Sequence, residues 1–301
     1  MAKRTKKSSS LRPIVLVVLG LCSLAGLVSL LLRDTDVALV NPKGYVATEQ
    51  YKLLVTVTVL LLEIAVPTLL LFYFVAWKYR ESNHNATYAP DITHGKLFSA
   101  YLWIIPSITA LLIAIVLWPA THQLQPQKPI YANTDPMVIQ VVAMRWKWLF
   151  IYPEQNIATV NFVQVPIDTP LEFQLSADET PMSSFWIPHL GGQLYAMTGH
   201  VNRLNLIASE TGDFTGSSAE INGPGFAGMR FTTRVSTAND FYQWVNTVKS
   251  SGETLDAKEY QELLEPSEYN EPVLYSRSEE DLYGNMLMKY TGSHDHHTES
   301  E

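Results

Sequence analysis

The chain has 301 residues, 47% of them hydrophobic, and a formal net charge of −8, which is more than one average domain requires. Its single cysteine, Cys22, excludes intrachain disulfides and any metal site built on paired thiolates. Residues 1–119 carry 11 Lys and Arg against 6 Asp and Glu, whereas residues 120–301 carry 10 against 23, so a basic apolar part precedes an acidic one and nucleic-acid binding has no support.

Three apolar stretches open the chain. Residues 14–32 contain no charge, 53–77 contain one (Glu63) and 97–118 contain none. About 20 helical residues cross a bilayer core. The second and third stretches carry interfacial aromatics at their ends (Tyr51, Tyr73 and Trp77; Tyr101 and Trp118). Pro67 and Pro106 inside them are tolerated in membrane helices. Basic residues before the first stretch fit either a cleaved leader or an anchor. Its length exceeds an ordinary signal core, which favours an uncleaved third span. Lys78, Arg80 and Lys96 place the loop over 78–96 in the cytoplasm. Residues 33–50 and 119–301 then face outwards, into the periplasm of a Gram-negative cell.

Beyond a proline-rich connection the texture becomes that of an all-β unit. Short alternating or β-branched runs fall at 137–142, 145–152, 158–163, 171–175, 184–187, 201–208 and 228–235, separated by Pro and Gly turn signals. This pattern predicts a sandwich or barrel over 120–235. After Ser236 the period changes: Thr237 and Asp240 resemble a capping box before Phe241, Trp244, Val245 and Val248. Further helices are expected over 256–264 and 279–290. The aromatic-rich extension 236–290 is therefore read as helical, and 291–301 as a disordered tail.

The most informative segment reads S-A-E-I-N-G-P-G-F-A-G-M at 218–229. It resembles the copper loop of the cytochrome c oxidase subunit II superfamily, C-S-E-x-C-G-x-x-H-x-x-M, with its ligands removed. Ser218 and Asn222 stand at the two Cys positions and Phe226 at the His, while Glu220, Gly223 and Met229 are kept. Upstream, P-M-S-S-F-W-I-P at 181–188 puts Ser183 at the remaining His. Other segments resemble the cytochrome bo-type ubiquinol oxidase subunit II family: N-P-K-G at 41–44, A-W-K-Y-R at 76–80, W-K-W-L-F-I-Y-P-E-Q at 146–155 and P-S-E-Y-N at 266–270. The resemblance covers about residues 41–290.

That resemblance implies an α+β membrane protein, in which N-terminal transmembrane helices carry a C-terminal extracytoplasmic cupredoxin-like β-sandwich or barrel with a short helical extension. It implies subunit II of a proton-pumping terminal oxidase of the bacterial inner membrane, oxidising ubiquinol and reducing oxygen to water. Haems and one copper are expected in the partner subunit I, alongside small subunits III and IV. Quinol would be bound by the partner, and no cytochrome c would dock. This chain would hold no cofactor or metal and no catalytic residue, and would brace subunit I. A menaquinol-type subunit and a membrane-anchored scaffold outside any oxidase remain as alternatives.

Several residues carry two readings. Trp146 and Trp148 fall where copper-bearing relatives place aromatics at the cytochrome entry point, and two-residue spacing on one strand would put both on one side. Without copper they read as packing residues. Glu63, an ionisable group inside a span, reads either as part of a proton path or as an intersubunit contact. The carboxylate that family members often carry seven residues before the third span's proline is here Ser99. None of the three spans contains a His for haem. His294, His296 and His297 lie in the tail.

Overall fold

The computed structural model describes residues 37–81, 83, 95–130, 134–180 and 182–291, with a few isolated positions between 20 and 30. The expected first span, most of the expected cytoplasmic loop and the tail beyond residue 291 lie outside the described residues. The chain divides into two compact units, residues 1–41 and 42–301, and the architecture below belongs to the second.

Two long helices lead, α1 (Tyr45–Lys78) and α2 (Lys96–Gln123). They pack on each other, and each is long and apolar enough to cross a membrane. Most of their large apolar side chains are exposed, including Phe72, Leu97, Trp103 and Trp118. That is the reverse of a soluble core and the expected state of a surface whose solvent is lipid. Helix α1 starts well before its apolar run because its first turn is docked on the β domain. The Tyr45 amide donates to the Ile207 carbonyl (3.1 Å) and the Ala47 amide to the Leu190 carbonyl (3.1 Å). These orphan donors of a helix start are thus satisfied by main-chain carbonyls of the β domain, one just past a strand and one in a turn, instead of a capping side chain.

Gly44 makes this joint possible. A Cβ there would sit 2.7 Å from the Leu190 carbonyl oxygen and 2.8 Å from that of Ile207, both main-chain atoms that cannot swing aside. Gly44→Ala is therefore expected to prise the helix start from the sandwich and lower stability by about 1–3 kcal/mol. Denaturant melts of the detergent-solubilised chain check this, with an unchanged midpoint as the contrary result.

The β domain has two sheets. Its strands are β1 (Met137–Met144), β2 (Lys147–Tyr152), β3 (Ile157–Val160), β4 (Phe162–Pro166), β5 (Leu171–Ala177), β6 (Ser183–Trp186), β7 (Leu194–Ala196), β8 (Asn202–Leu206), β9 (Gly212–Ser218) and β10 (Arg230–Ser236). From the extension come helix α3 (Ala238–Lys249), β11 (Thr254–Leu255), helix α4 (Ala257–Leu264), β12 (Val273–Tyr275), β13 (Arg277–Ser278) and helix α5 (Leu282–Thr291). One sheet runs β12-β3-β2-β1-β5-β8 and the other β4-β10-β9-β6-β7. The pairs β1/β5 and β4/β10 are parallel and the remaining neighbours in these two sheets are antiparallel. Between the sheets lies a core in which Phe185 stacks on Phe231 at 5.1 Å, with Trp148 edge-on to both.

The sandwich does not end at residue 235. Strand β12 adds an edge to the first sheet, and α4 and α5 cover that sheet's outer face. A second core results, in which Val142, Leu149 and Ile151 meet Tyr260, Leu264, Tyr283 and Met286. This explains why β2 is buried along its whole length: both faces are covered, so its sequence reads as a continuous apolar run. Lys147, only 3% exposed, is admitted because its ammonium donates to the Leu263 and Glu265 carbonyls (2.8 and 2.9 Å) at the end of α4. Burial nevertheless pulls its pKa down.

Four tyrosines of the extension bring polar tips into the second core. Burial first, then the Asp178 carboxylate, pushes Tyr260 up, and the same causes push Tyr290 up to about 12. Burial and Glu259 raise Tyr275, and burial raises Tyr283. A phenol whose folded pKa exceeds its unfolded value of about 10 contributes stability that is complete below pH ~10 and lost as pH climbs through the folded value. Alkaline titration should therefore show tyrosinate absorbance for these four only together with release of the extension above pH ~10. Ionisation of all tyrosines near pH 10 with the fold intact would contradict the assignment.

Candidate functional site

The segment with the copper-loop frame connects β9 to β10 through a 3-10 turn, Pro224–Gly228. Ser218 closes β9, and its amide donates to the Met229 carbonyl (3.1 Å). Ser183 opens the adjacent strand β6, and the Ala219 amide donates to the Ser184 carbonyl (2.9 Å). Strand pairing therefore holds the two ends of the loop over the start of β6. Ser183, Ser218 and Met229 are buried.

Two of the side chains that replace ligands bond to each other. The Asn222 amide nitrogen donates to Ser183 Oγ (2.8 Å) and lies 3.1 Å from Met229 Sδ. Ser218 Oγ donates to the Glu220 carbonyl (3.0 Å). Phe226 is half-buried and holds the turn through its main chain: its amide donates to Gly223 and its carbonyl accepts from Met229. Positions 183, 222 and 229 thus converge on one point, with 218 tied beside them by backbone. Hydroxyls, an amide and a thioether are the donors there. Copper centres of this fold need thiolates and imidazoles, so the donor set does not fit the metal.

Trp146 departs from the sequence reading. It is not on a strand beside Trp148 but in the tight turn between β1 and β2, with φ of 65°, a conformation uncommon for a bulky residue. The two rings therefore do not share a strand face. Trp148 is fully buried in the sandwich core, whereas the Trp146 ring lies over the loop. A Cβ on Gly225 would come within 2.4 Å of that ring, and Gly223 at φ of 129° meets the same ring. The glycines of the frame serve this contact, which spacing alone does not reveal.

Glu63 lies within α1, far along the chain from the loop, and its side chain is exposed on the helix surface. Ser99 sits exposed in the first turn of α2. Sequence reading missed Asp178, which has no exposed surface. It accepts from Tyr260 (2.6 Å), Tyr290 (2.5 Å) and Lys289 (3.1 Å).

Two apolar helices carrying a cupredoxin-like sandwich define a protein of the cytochrome oxidase subunit II class. Residues 150–235 match the family described as cytochrome c oxidase subunit II, periplasmic domain, and residues 249–294 match the COX aromatic rich motif. The chain is 44% identical to a cytochrome bo(3) ubiquinol oxidase subunit 2 of Pseudomonas putida, covering 87% of this chain and 83% of that protein. It is 41% identical to its counterpart in Pseudomonas aeruginosa, covering 91% and 81%. Against a quinol oxidase subunit 2 of Bacillus cereus the identity is 33%, covering 86% of each. The chain belongs to the quinol oxidase subunit 2 family, in its cytochrome bo(3) ubiquinol oxidase branch.

Proposed function

We propose that this chain is the second subunit of a proton-pumping terminal oxidase of the bacterial inner membrane, which oxidises ubiquinol and reduces oxygen to water. The chain is a membrane-anchored component of a quinol-oxidising complex built around a haem-copper subunit I. Within it the chain carries no redox centre and no catalytic residue, and its periplasmic domain braces the outer face of subunit I. Haems and one copper belong to that partner, which also binds the quinol, and small subunits III and IV complete the assembly.

The replacement of all four Cys and His ligand positions, with the loop's frame kept and Asn222 bonded to Ser183 across it, carries this reading. A soluble cytochrome delivers electrons from the aqueous side and needs a metal relay in the external domain. Quinol arrives through the bilayer and reaches the large subunit directly, so the relay has no task. The higher identity to relatives named for ubiquinol than to the Bacillus protein supports ubiquinol over another quinol.

The test is purification through a tag on this chain, with oxygen uptake assayed on ubiquinol and on reduced cytochrome c. Uptake with ubiquinol alone, and copper no higher than one atom per complex, is expected. Cytochrome c oxidation with excess copper would overturn the reading, and recovery of the chain with no haem protein would favour a scaffold.

A further inference from the structure

We propose that Glu63 is a polar docking point at mid-depth of the membrane for one transmembrane helix of the haem-bearing subunit, a helix presenting a side chain with several N–H donors. The proposal rests on the reading of this chain as an oxidase subunit and adds to it the place and chemistry of one contact.

The depth follows from the sequence. The apolar run 53–77 has its middle at Ala65, so at about 1.5 Å per residue Glu63 lies only about 3 Å from mid-bilayer. Its short side chain cannot reach either interface, roughly 15 Å away. Charged or neutral, a carboxyl in hydrocarbon needs hydrogen-bond partners. Among the described residues Glu63 makes no hydrogen bond or ion pair. It also lies outside the half-buried seam of α1, where Leu53, Val57, Leu60 and Ile64 recur at three- and four-residue steps.

A second observation falls at the same spot. Pro67 sits four residues on inside an unbroken helix, and a proline has no N–H for the carbonyl of residue i−4. That carbonyl belongs to Glu63. One residue therefore offers both a carboxyl and a main-chain acceptor that has lost its helical donor, on a surface that otherwise faces lipid. Two acceptors on one residue fit a partner with several N–H donors, a guanidinium, ammonium or carboxamide.

This chain supplies no such donor at that depth. The run 97–118 in α2 contains no Lys, Arg, His, Asn or Gln, and neither does 14–32. Of the hydroxyls in α2, Ser107 already donates to the Trp103 carbonyl. The proposed donor then comes from another membrane chain, and of the partners proposed above the haem-bearing subunit is the one that this chain braces.

Two measurements on the intact complex test this. A photo-reactive residue in place of Val59, one helical turn from Glu63 and 62% exposed, leaves the carboxyl in place. It should cross-link to the haem-bearing subunit, and adducts with lipid alone would overturn the proposal. On the tagged complex, Glu63→Leu should speed loss of that subunit in detergent about tenfold, and Glu63→Gln, which keeps an acceptor, should lose it more slowly than Glu63→Leu. Equal retention in all three would overturn it. So would full retention with slowed proton uptake, which would make Glu63 part of a proton route instead. If the unmodified chain brings down no haem protein, the functional reading fails; if it does and Glu63 has no effect, only the docking point fails.

Discussion

Asp178→Ala should lower the stability of the periplasmic domain by about 3–5 kcal/mol. The carboxylate is fully buried at the end of β5, where its amide donates to Ala143 (3.0 Å). It receives the Tyr260 and Tyr290 hydroxyls and the Lys289 ammonium, so three groups from α4 and α5 converge on one side chain from the sandwich. Lys289 also lies over the Tyr260 ring at 5.4 Å. Removing the acceptor leaves a buried phenol and a half-covered ammonium without their partner, which costs more than the loss of the bonds themselves. The damage should be local first. Hydrogen exchange should rise in α4 and α5 before the inter-sheet core responds, because the second core depends on these helices being held down. Asp178→Asn, which keeps an acceptor, should cost less than half as much. A chemical denaturation series on the three forms decides it, and equal midpoints would show that the apolar contacts of Tyr260, Leu264 and Met286 suffice alone.

Asp178 also marks where sequence reading stops. The capping residue Thr237 was legible because a cap is a local device: its side chain accepts from the amide three residues on, Asp240, whereas Asp256, read as the first residue of its helix, is the N-cap and accepts from the Glu259 amide. The apolar runs of β1, β2 and β5 were legible because their periodicity answers to the core. Strand β9, G-D-F-T-G-S-S, gave no such signal, since its pairing with β10 and β6 rests on main-chain bonds and only Phe214 offers an apolar side chain to the interior. The run 158–163 splits at Asn161, whose positive φ and amide bond to the Asn270 carbonyl belong to the tertiary fold. For the same reason the extension read as helices alone. β12 is three residues long and is a strand only because Val160 to Ala158 wait opposite it. The candidate site was legible as four substitutions in a frame. That Asn222 bonds Ser183 across 39 residues, and that Trp146 turns out of its strand to cover the loop, were not.

Restoring the four ligand positions together, by Ser183→His, Ser218→Cys, Asn222→Cys and Phe226→His, should turn a domain without thiols into one that retains copper through gel filtration with thiolate-to-copper absorption. The geometry argues for it. Met229 Sδ and Ser183 Oγ already lie within 3.1 and 2.8 Å of the Asn222 amide nitrogen, so side chains at 183, 222 and 229 converge without backbone movement. Position 218 is fixed to Met229 by a main-chain bond, and the Glu220 carbonyl is held at the same rim. Ligands at about 2.0–2.3 Å from a metal need this convergence. The loop does lose its internal bonds: Asn222 no longer donates, and Ser218 no longer ties Glu220. The apo variant should therefore be less stable than the natural domain by about 1–3 kcal/mol, and copper should restore the difference by binding only the folded state. Melting with and without copper separates the two effects. A folded variant that takes up no copper would show that Phe226 and its turn have settled into a path from which an imidazole cannot reach the other three ligands. The frame would then be kept for the Trp146 ring that packs on it, not for any geometry inherited from a metal.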